Sequence, residues 1–528
     1  MSARKFPPGF EFGAATSSYQ VEGAWNISDK GESIWDRFTH QNPKGIVNGA
    51  NGDVACNSYY NWMDDVEIAT ELGLHFYRFS ISWPRLLPSG FIDKISEDGK
   101  NYYNKVIDAL LLNGIKPVVT LYHWDLPQRL QNLGGWTNPY IADWFADYSR
   151  VAYTLFGDRV KTWITINEPV VICDLSYNSG AFAPGIKDPE LGNYLCSKNI
   201  LLAHAKAWRI YDEEFKPKYH GKVGITNLLF WFEAANEEDQ DLTELIRTYM
   251  TGMYSDPIYA KDGGWPSKIE LIIAENSRKQ GFPRSRLPAF TQEEIEFVKG
   301  TYDFYGINYY SSRTVRKAKA GETIGSWPLG NGAVEFNAVL DVRPEWKKAA
   351  SSWFWINPPG IRNKLAWLKK TYGDIEILIT ENGLSTFSDD LNDVERLNYH
   401  RNHLEQVWLA INKDGVNVTG YTAWTMMDNF EWCDGYAVKF GLYSINFDDE
   451  NRRRNPRASA KYYADVIRSH SYDVANKKYT TDKLYSVLFY VPVPILLLTL
   501  MLMMISCPTP SKSFTARHHK LTDVPDAL

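Results

Sequence analysis

Between residues 11 and 424 the chain repeats one alternation eight times: a short apolar run, then a longer stretch with apolar residues at helical spacing. The short runs fall at 11–15, 76–81, 117–122, 162–166, 222–227, 304–308, 375–380 and 418–424. The amphipathic stretches between them include 62–72, 101–113, 139–156, 200–215, 292–299, 361–372 and 391–413. A short continuous apolar run reads as a strand of a parallel sheet covered on both faces, and parallel strands need helical crossovers between them. Eight such units in series predict an α/β fold, a single (β/α)8 TIM barrel over residues 1–473. At 528 residues the chain is long for one ordinary domain, but barrels with insertions reach this size. The largest insertion, 311–353, follows the sixth run. It is rich in Gly, Pro and aromatic residues and is expected as a loop over the mouth of the barrel.

The ends of the chain read differently. The N-terminal residues contain no apolar core of a secretory leader. After a linker at 474–484, residues 485–506 carry no charge, which meets the length of roughly 20 apolar residues that a bilayer-spanning helix needs. Pro492 and Pro494 within it are tolerable in such a helix. A single-pass membrane localisation through 485–506 is therefore expected, with a short polar tail at 507–528. Lysines on both sides leave its orientation open. Asn26 and Asn417 open glycosylation sequons, and Asn417 borders the eighth run, where burial is expected.

Charge and cysteine usage exclude several function classes. Net charge is −6, with 57 basic and 63 acidic side chains interleaved, so no basic face for nucleic acid is present. Cys56, Cys173, Cys196, Cys433 and Cys507 form no CxxC pair and no disulfide framework, although one or two bridges are possible. No metal and no cofactor is expected. The oligomeric state is not legible. Aromatic residues make up 14% of the chain, which suits stacking on the apolar faces of sugar rings as well as filling a large core.

In a parallel barrel the C-terminal strand ends carry the chemistry. Here the polar residues collect at those ends. Gln20 follows the first run and Arg78 lies on the second. His123, Trp124 and Asp125 end the third, Asn167 and Glu168 the fourth, and Asn308 and Tyr310 the sixth. Glu381 ends the seventh and Trp424 the eighth, with Glu431 and Trp432 just beyond. Taken singly, each has a structural reading as a core histidine, an ion pair, a turn residue or a packed indole. Their convergence on one rim from seven of eight strands points to a site. Two carboxylates facing one sugar, Glu168 and Glu381, are what glycoside hydrolysis needs: one protonates the leaving oxygen, and the other attacks the anomeric carbon or activates water.

These stretches carry a resemblance. Residues 10–24 (FEFGAATSSYQVEGA), 77–83 (YRFSISW), 121–127 (LYHWDLP), 167–169 (NEP), 306–310 (GINYY), 380–383 (TENG) and 423–432 (AWTMMDNFEW) resemble the signatures of family 1 glycoside hydrolases. These are the β-glucosidase and lactase-like enzymes, and the flavour here is that of insect β-glucosidases and insect myrosinases. The resemblance runs from about residue 6 to about 470. It implies a retaining β-glycosidase with Glu381 as nucleophile and Glu168 as acid/base, their carboxyls about 5–5.5 Å apart. It further implies that Arg78 and Tyr310 support the nucleophile. Asn167 would bind the sugar 2-hydroxyl, Gln20, His123, Asn308 and Glu431 the remaining polar groups, and Trp424 and Trp432 would line the sugar site. Trp353 would stack on the leaving group, with Phe354 and Trp355 as neighbouring aromatic candidates. A carboxylate at 431 would repel a phosphate, so the expected substrate is an unphosphorylated β-glucoside, fucoside or galactoside. Lys439 stands where many relatives carry arginine, with little effect expected. Thioglucoside cleavage and transglycosylation are alternatives within catalysis. A non-catalytic klotho-like receptor is the alternative from another class, and the presence of both glutamates speaks against it.

Overall fold

Eight parallel strands close on themselves in the computed structural model, which describes residues 4–325, 331–474 and Tyr479. The strands are β1 (Glu11–Ala15), β2 (Phe76–Ser80), β3 (Lys116–Tyr122), β4 (Thr162–Asn167), β5 (Lys222–Ala234), β6 (Phe304–Lys317), β7 (Ile377–Asn382) and β8 (Val418–Trp424). Each pairs in parallel with its neighbour in sequence, and β8 returns to β1 from Glu11↔Gly420 to Ala15↔Trp424, which closes the barrel. Around it lie α1 (Ser58–Leu72), α2 (Glu97–Leu112), α3 (Ile141–Phe156), α4 (Gly192–Ile210), α5 (Gln292–Val298), α6 (Pro358–Tyr372), α7 (Val394–Asn412) and α8 (Ala458–Ser469). The described residues belong to one compact unit, Met1–Thr481; a second unit, Asp482–Leu528, lies wholly outside them.

The floor of the barrel is a separate apolar cluster of Phe76, Val118, Ile164, Phe304 and Leu378. It is packed so closely that two strand glycines are obligatory. A Cβ on Gly13 would sit 2.2 Å from the Phe76 ring, and one on Gly224 would sit 2.8 Å from the Phe304 ring. Below the rim the interior is filled by side chains, so the catalytic chemistry has room at the C-terminal ends.

Two strands outrun their expected limits. β5 and β6 continue together past the barrel as far as Ala234↔Val315, and β6 then pairs antiparallel with Ala338–Asp341. The expected loop at 311–353 is therefore strand through Lys317. Pairing with a strand some 80 residues upstream made this segment regular, and local Gly and Pro content carries no sign of such a partner.

One disulfide forms, Cys173–Cys196, tying the segment after β4 to α4. Cys56 and Cys433 are free, and Cys507 lies outside the described residues. Closing a loop of 23 residues stabilises a fold by about 3 kcal/mol. Asn417 is exposed rather than buried, because it precedes β8 instead of lying within it. The linker at 474–484 apart from Val474 and Tyr479, the apolar run 485–506 and the tail 507–528 lie outside the described residues. Among the described residues no helix is long and apolar enough to cross a membrane. The expected membrane localisation rested on the length and hydropathy of one run alone.

Candidate active site

A cavity of about 150 Å³ opens at the C-terminal rim, and both Glu168 and Glu381 line it. Glu381 is the penultimate residue of β7 and is buried. Both its oxygens are held: Arg78 Nη1 donates to Oε1 at 2.7 Å and the Tyr310 hydroxyl donates to Oε2 at 2.7 Å. Arg78 is itself locked by three other strands. It donates to Thr120 Oγ1 on β3 (3.2 Å), Asn167 Oδ1 on β4 (2.7 Å) and the Thr380 carbonyl on β7 (2.8 Å). A fully buried guanidinium with this many partners is a fixed positive charge beside one carboxylate. Burial raises the pKa of Glu381, and Arg78 and the Tyr310 hydroxyl oppose that rise.

Glu168 follows β4 with φ of 53°, and its N–H donates to the Thr226 carbonyl of β5 at 2.8 Å. Left-handed backbone in a non-glycine residue costs about 1 kcal/mol or more. Trp124 (φ 78°) and Trp432 (φ 49°) also line the cavity, so three such residues meet at one rim. The only side-chain donor to Glu168 among the described residues is the Asn308 amide, 2.7 Å from Oε1. Burial and the negative charge of Glu381 push its pKa up to about 8. The two carboxyls differ in their strongest partners: Glu381 has a cation and a phenol, whereas Glu168 has the neutral Asn308 amide, which also acts on Glu381. When the pair holds one proton, that proton rests on Glu168.

The remaining predicted residues divide into wall and support. His123, Asn167, Tyr310, Trp353, Trp424, Glu431 and Trp432 line the cavity. The His123 ring lies nearly parallel to Trp424 (13°, 5.8 Å) and Trp432 (15°, 5.9 Å). Burial and Arg78 hold it well below the usual histidine range, so it is neutral. Asn167 gives its oxygen to Arg78 and Asn308, which turns its amide nitrogen toward His123 Nε2 at 3.3 Å. Of the three aromatic candidates at the end of the insertion, only Trp353 reaches the cavity; Phe354 is fully buried beneath it, stacked at 5.3 Å.

Gln20, Asn308 and Arg78 stand behind the wall. Gln20 accepts from Ser17 Oγ and donates to Asn429 Oδ1 (3.0 Å) and the Phe430 carbonyl (2.8 Å), with Glu431 Oε2 at 3.4 Å. Its amide is saturated by protein and positions the Glu431 segment. Asn308 spends both amide hydrogens within the protein, donating to Glu168 and to Asn167 (3.1 Å), and it accepts from Thr380 Oγ1 (2.7 Å). Both side chains also hold neighbouring residues of the rim in place, Gln20 the Glu431 segment and Asn308 the Glu168 carboxyl.

Sequence reasoning missed the outer wall. Val171, Leu175 and Phe182 come from the chain after β4, Leu228 and Phe230 from the extension of β5, and Cys433, Asp434 and Phe440 from the chain after Trp432. Only Cys433 and Asp434 carried a signal, as the immediate continuation of the Glu431–Trp432 signature.

Comparison with known proteins gives this geometry its context. Residues 2–472 match the family described as "Glycosyl hydrolase family 1". "Myrosinase 1" of Brevicoryne brassicae is 44% identical over 469 residues, covering 88% of this chain and 98% of that protein. Human "Cytosolic beta-glucosidase" is 42% identical over 471 residues, with 88% and 98% covered. The solved structure "Aphid myrosinase" superposes with a TM-score of 0.84 at 43% identity, covering 88% of this chain and all of that one. The family match stops at residue 472, before the apolar run, and a relative this similar is named as cytosolic. The membrane localisation expected from 485–506 does not stand.

Proposed function

The chain belongs to glycosyl hydrolase family 1, and from that premise we propose that it is a retaining β-glycosidase with Glu381 as nucleophile and Glu168 as acid/base, its catalytic domain spanning residues 1–473. The asymmetry between the two carboxyls carries the reading: Arg78 and Tyr310 keep Glu381 ionised, while burial keeps Glu168 protonated.

In the first step a Glu381 oxygen attacks the anomeric carbon. The bond from that carbon to the glycosidic oxygen breaks, and Glu168 delivers its proton to the departing oxygen. The sugar is then an ester of Glu381. Glu168, having given up its proton, is a carboxylate; the ester carries no negative charge, so of the two causes that raise its pKa burial remains and the repulsion by Glu381 is gone. In the second step Glu168 takes a proton from water, the water oxygen bonds to the anomeric carbon, and Glu381 leaves as a carboxylate. The Asn167 amide donates to the 2-hydroxyl, a hydrogen bond that strengthens as the ring gains oxocarbenium character. His123 and Glu431 bind other hydroxyls, Trp424 and Trp432 cover the sugar, and Trp353 stacks on the leaving group.

The substrate is the terminal, non-reducing β-D-glucosyl residue of a glycoside, with fucosyl and galactosyl residues as related sugars. The Glu431 carboxylate disfavours a 6-phosphate. A 2-deoxy-2-fluoroglucoside should leave a stoichiometric adduct on Glu381 in peptide mass mapping; an adduct on another residue refutes the role assignment. Thioglucoside cleavage is a second reading, supported by the 44% identity to a protein named myrosinase. A thiolate needs less help from an acid, so matched O- and S-glucosides separate the two. Glu168→Gln should abolish hydrolysis of alkyl O-glucosides, and any S-glucoside activity should lose far less in the glycosylation step.

A further inference from the structure

Four carboxyl groups line the cavity, Glu168, Glu381, Glu431 and Asp434, and among the described residues no lysine or arginine does. Three of them have donors. Glu168 accepts from Asn308, Glu381 from Arg78 and Tyr310, and Glu431 faces the Gln20 amide. Asp434 has none: among the described residues no side chain or backbone N–H donates to its half-buried carboxylate, and burial raises its pKa. It closes the single turn Trp432–Asp434, and its N–H donates to the Glu431 carbonyl at 2.9 Å. Asp434 and Glu431 line the same cavity, and of the charges acting on Glu431 that of Asp434 is the largest. Asp434 lines the same cavity as Phe182, Leu228 and Phe230 of the outer wall. The preceding residue fixes the turn to the outer wall, since the Cys433 thiol donates to the Ala181 carbonyl beside Phe182.

Most of the rest of that outer wall is apolar, formed by Leu175, Phe182, Leu228, Phe230 and Phe440, with Ser352 as a neutral hydroxyl. The cation behind it, Arg313, lies 5.2 Å from the Phe230 ring. It donates to Ser311 Oγ and to the Ser312 and Trp353 carbonyls, and it does not line the cavity. A leaving group seated here meets apolar surface and one carboxylate whose hydrogen-bonding capacity is unspent.

We propose that Asp434 is a specificity-determining residue that makes the leaving-group end of the cavity favour apolar aglycones bearing an ammonium or other donor and disfavour anionic ones. The proposal rests on the β-glycosidase reading above. A sulfated leaving group, O- or S-linked, would meet the same repulsion. A unit charge about 7 Å away, at an effective dielectric between that of a protein surface and water, changes kcat/KM by about three- to tenfold.

The test uses the full chain and three phenyl β-D-glucosides substituted in the para position with aminomethyl, hydroxymethyl or carboxylate. Intrinsic leaving-group reactivity cancels when the cation-to-anion ratio of kcat/KM is compared between proteins. That ratio combines a gain for the cation with a loss for the anion, so it should fall by about ten- to a hundredfold in Asp434→Asn and in Asp434→Ser, and Asp434→Glu should retain most of it. The wild-type ratio should also shrink as salt rises from about 10 mM to about 0.5 M, as screening shortens the reach of an exposed charge. An unchanged ratio in either charge-free variant, or a wild-type ratio indifferent to salt, overturns the charge filter and leaves the glycosidase reading intact. Failure of the wild-type protein to turn over all three glucosides overturns the glycosidase reading itself, and the filter with it.

Discussion

Replacing Glu168 by glutamine should destroy the acid/base function and stabilise the fold, and the gain should depend on pH. Glu168 titrates near 8 in the folded protein against 4.5 for a free glutamate. Between those values the folded state holds a proton that the unfolded chain has lost, so native stability falls as pH rises through this window. At pH 7 the penalty is about 3 kcal/mol, and above pH 8 it levels off near about 5 kcal/mol. Below about pH 4.5 both states are protonated and the penalty vanishes. Glutamine does not titrate, and it keeps the carbonyl that accepts from the Asn308 amide at 2.7 Å. Its amide loses little, because the cavity is open to water. With an unfolding entropy of roughly 1 kcal/mol per kelvin for a barrel of this length, 3 kcal/mol corresponds to about 3 °C in Tm. The assay is thermal unfolding of wild type and Glu168→Gln at half-unit steps from pH 4.5 to 8.5. The difference in Tm should start near zero and widen toward alkaline pH. A difference that is flat with pH, or a variant less stable than wild type at pH 8, would refute the claim that burial and Glu381 hold the proton on Glu168.

The same proton predicts the alkaline limb of activity. With an alkyl β-glucoside, kcat/KM should fall above about pH 8 as the free enzyme loses the acid, and this limb should disappear in Glu168→Gln tested with an activated aryl glucoside. Arg78→Met should lower kcat/KM by about 10³-fold, and Tyr310→Phe by about 10- to 100-fold. In both, the acidic limb should move to higher pH, because each removes a donor that keeps Glu381 ionised; a loss with no shift of that limb argues against this role. Cys173→Ala with Cys196→Ala should lower stability by about 2–4 kcal/mol in denaturant titration, and reductant should have no further effect on that variant.

Much of the fold was legible because its signal is local and repeated. Each barrel strand is a short apolar run followed by a helix-spaced stretch, and the expected strand limits hold within two residues except where β5 and β6 outrun them. Those two extensions depend on a partner distant in sequence, and no composition reports that. That Glu168 and Glu381 would meet at one cavity was legible for a related reason: each lies at a strand end, and strand ends in a closed barrel converge by geometry. What could not be read was whether a polar residue forms the wall or stands behind it. Gln20 and Asn308 sit in the same signatures as the wall residues, but their amides are consumed by Ser17, Asn429, Thr380 and Asn167, partners supplied by several strands and loops. The apolar outer wall was invisible because Val171 and Leu228 look like any core residue until the strand ends are placed in space.

The site is best understood through how it divides its polar partners. Arg78 gathers β2, β3, β4 and β7 around one guanidinium, and only one of the two catalytic carboxyls touches it. Asn308 binds the other carboxyl with a neutral dipole and meets the Arg78 cluster through Asn167 and Thr380. Had the cation bridged both carboxyls, both would be ionised and no acid would exist; had neither touched it, the first proton would have no preferred seat. In the proposed mechanism the placement of this single charge is what separates the glutamate that attacks from the one that protonates. Changing that placement should alter the pH dependence of the reaction, and through Asn167, which accepts from Arg78, it should also reach the contact proposed for the sugar 2-hydroxyl.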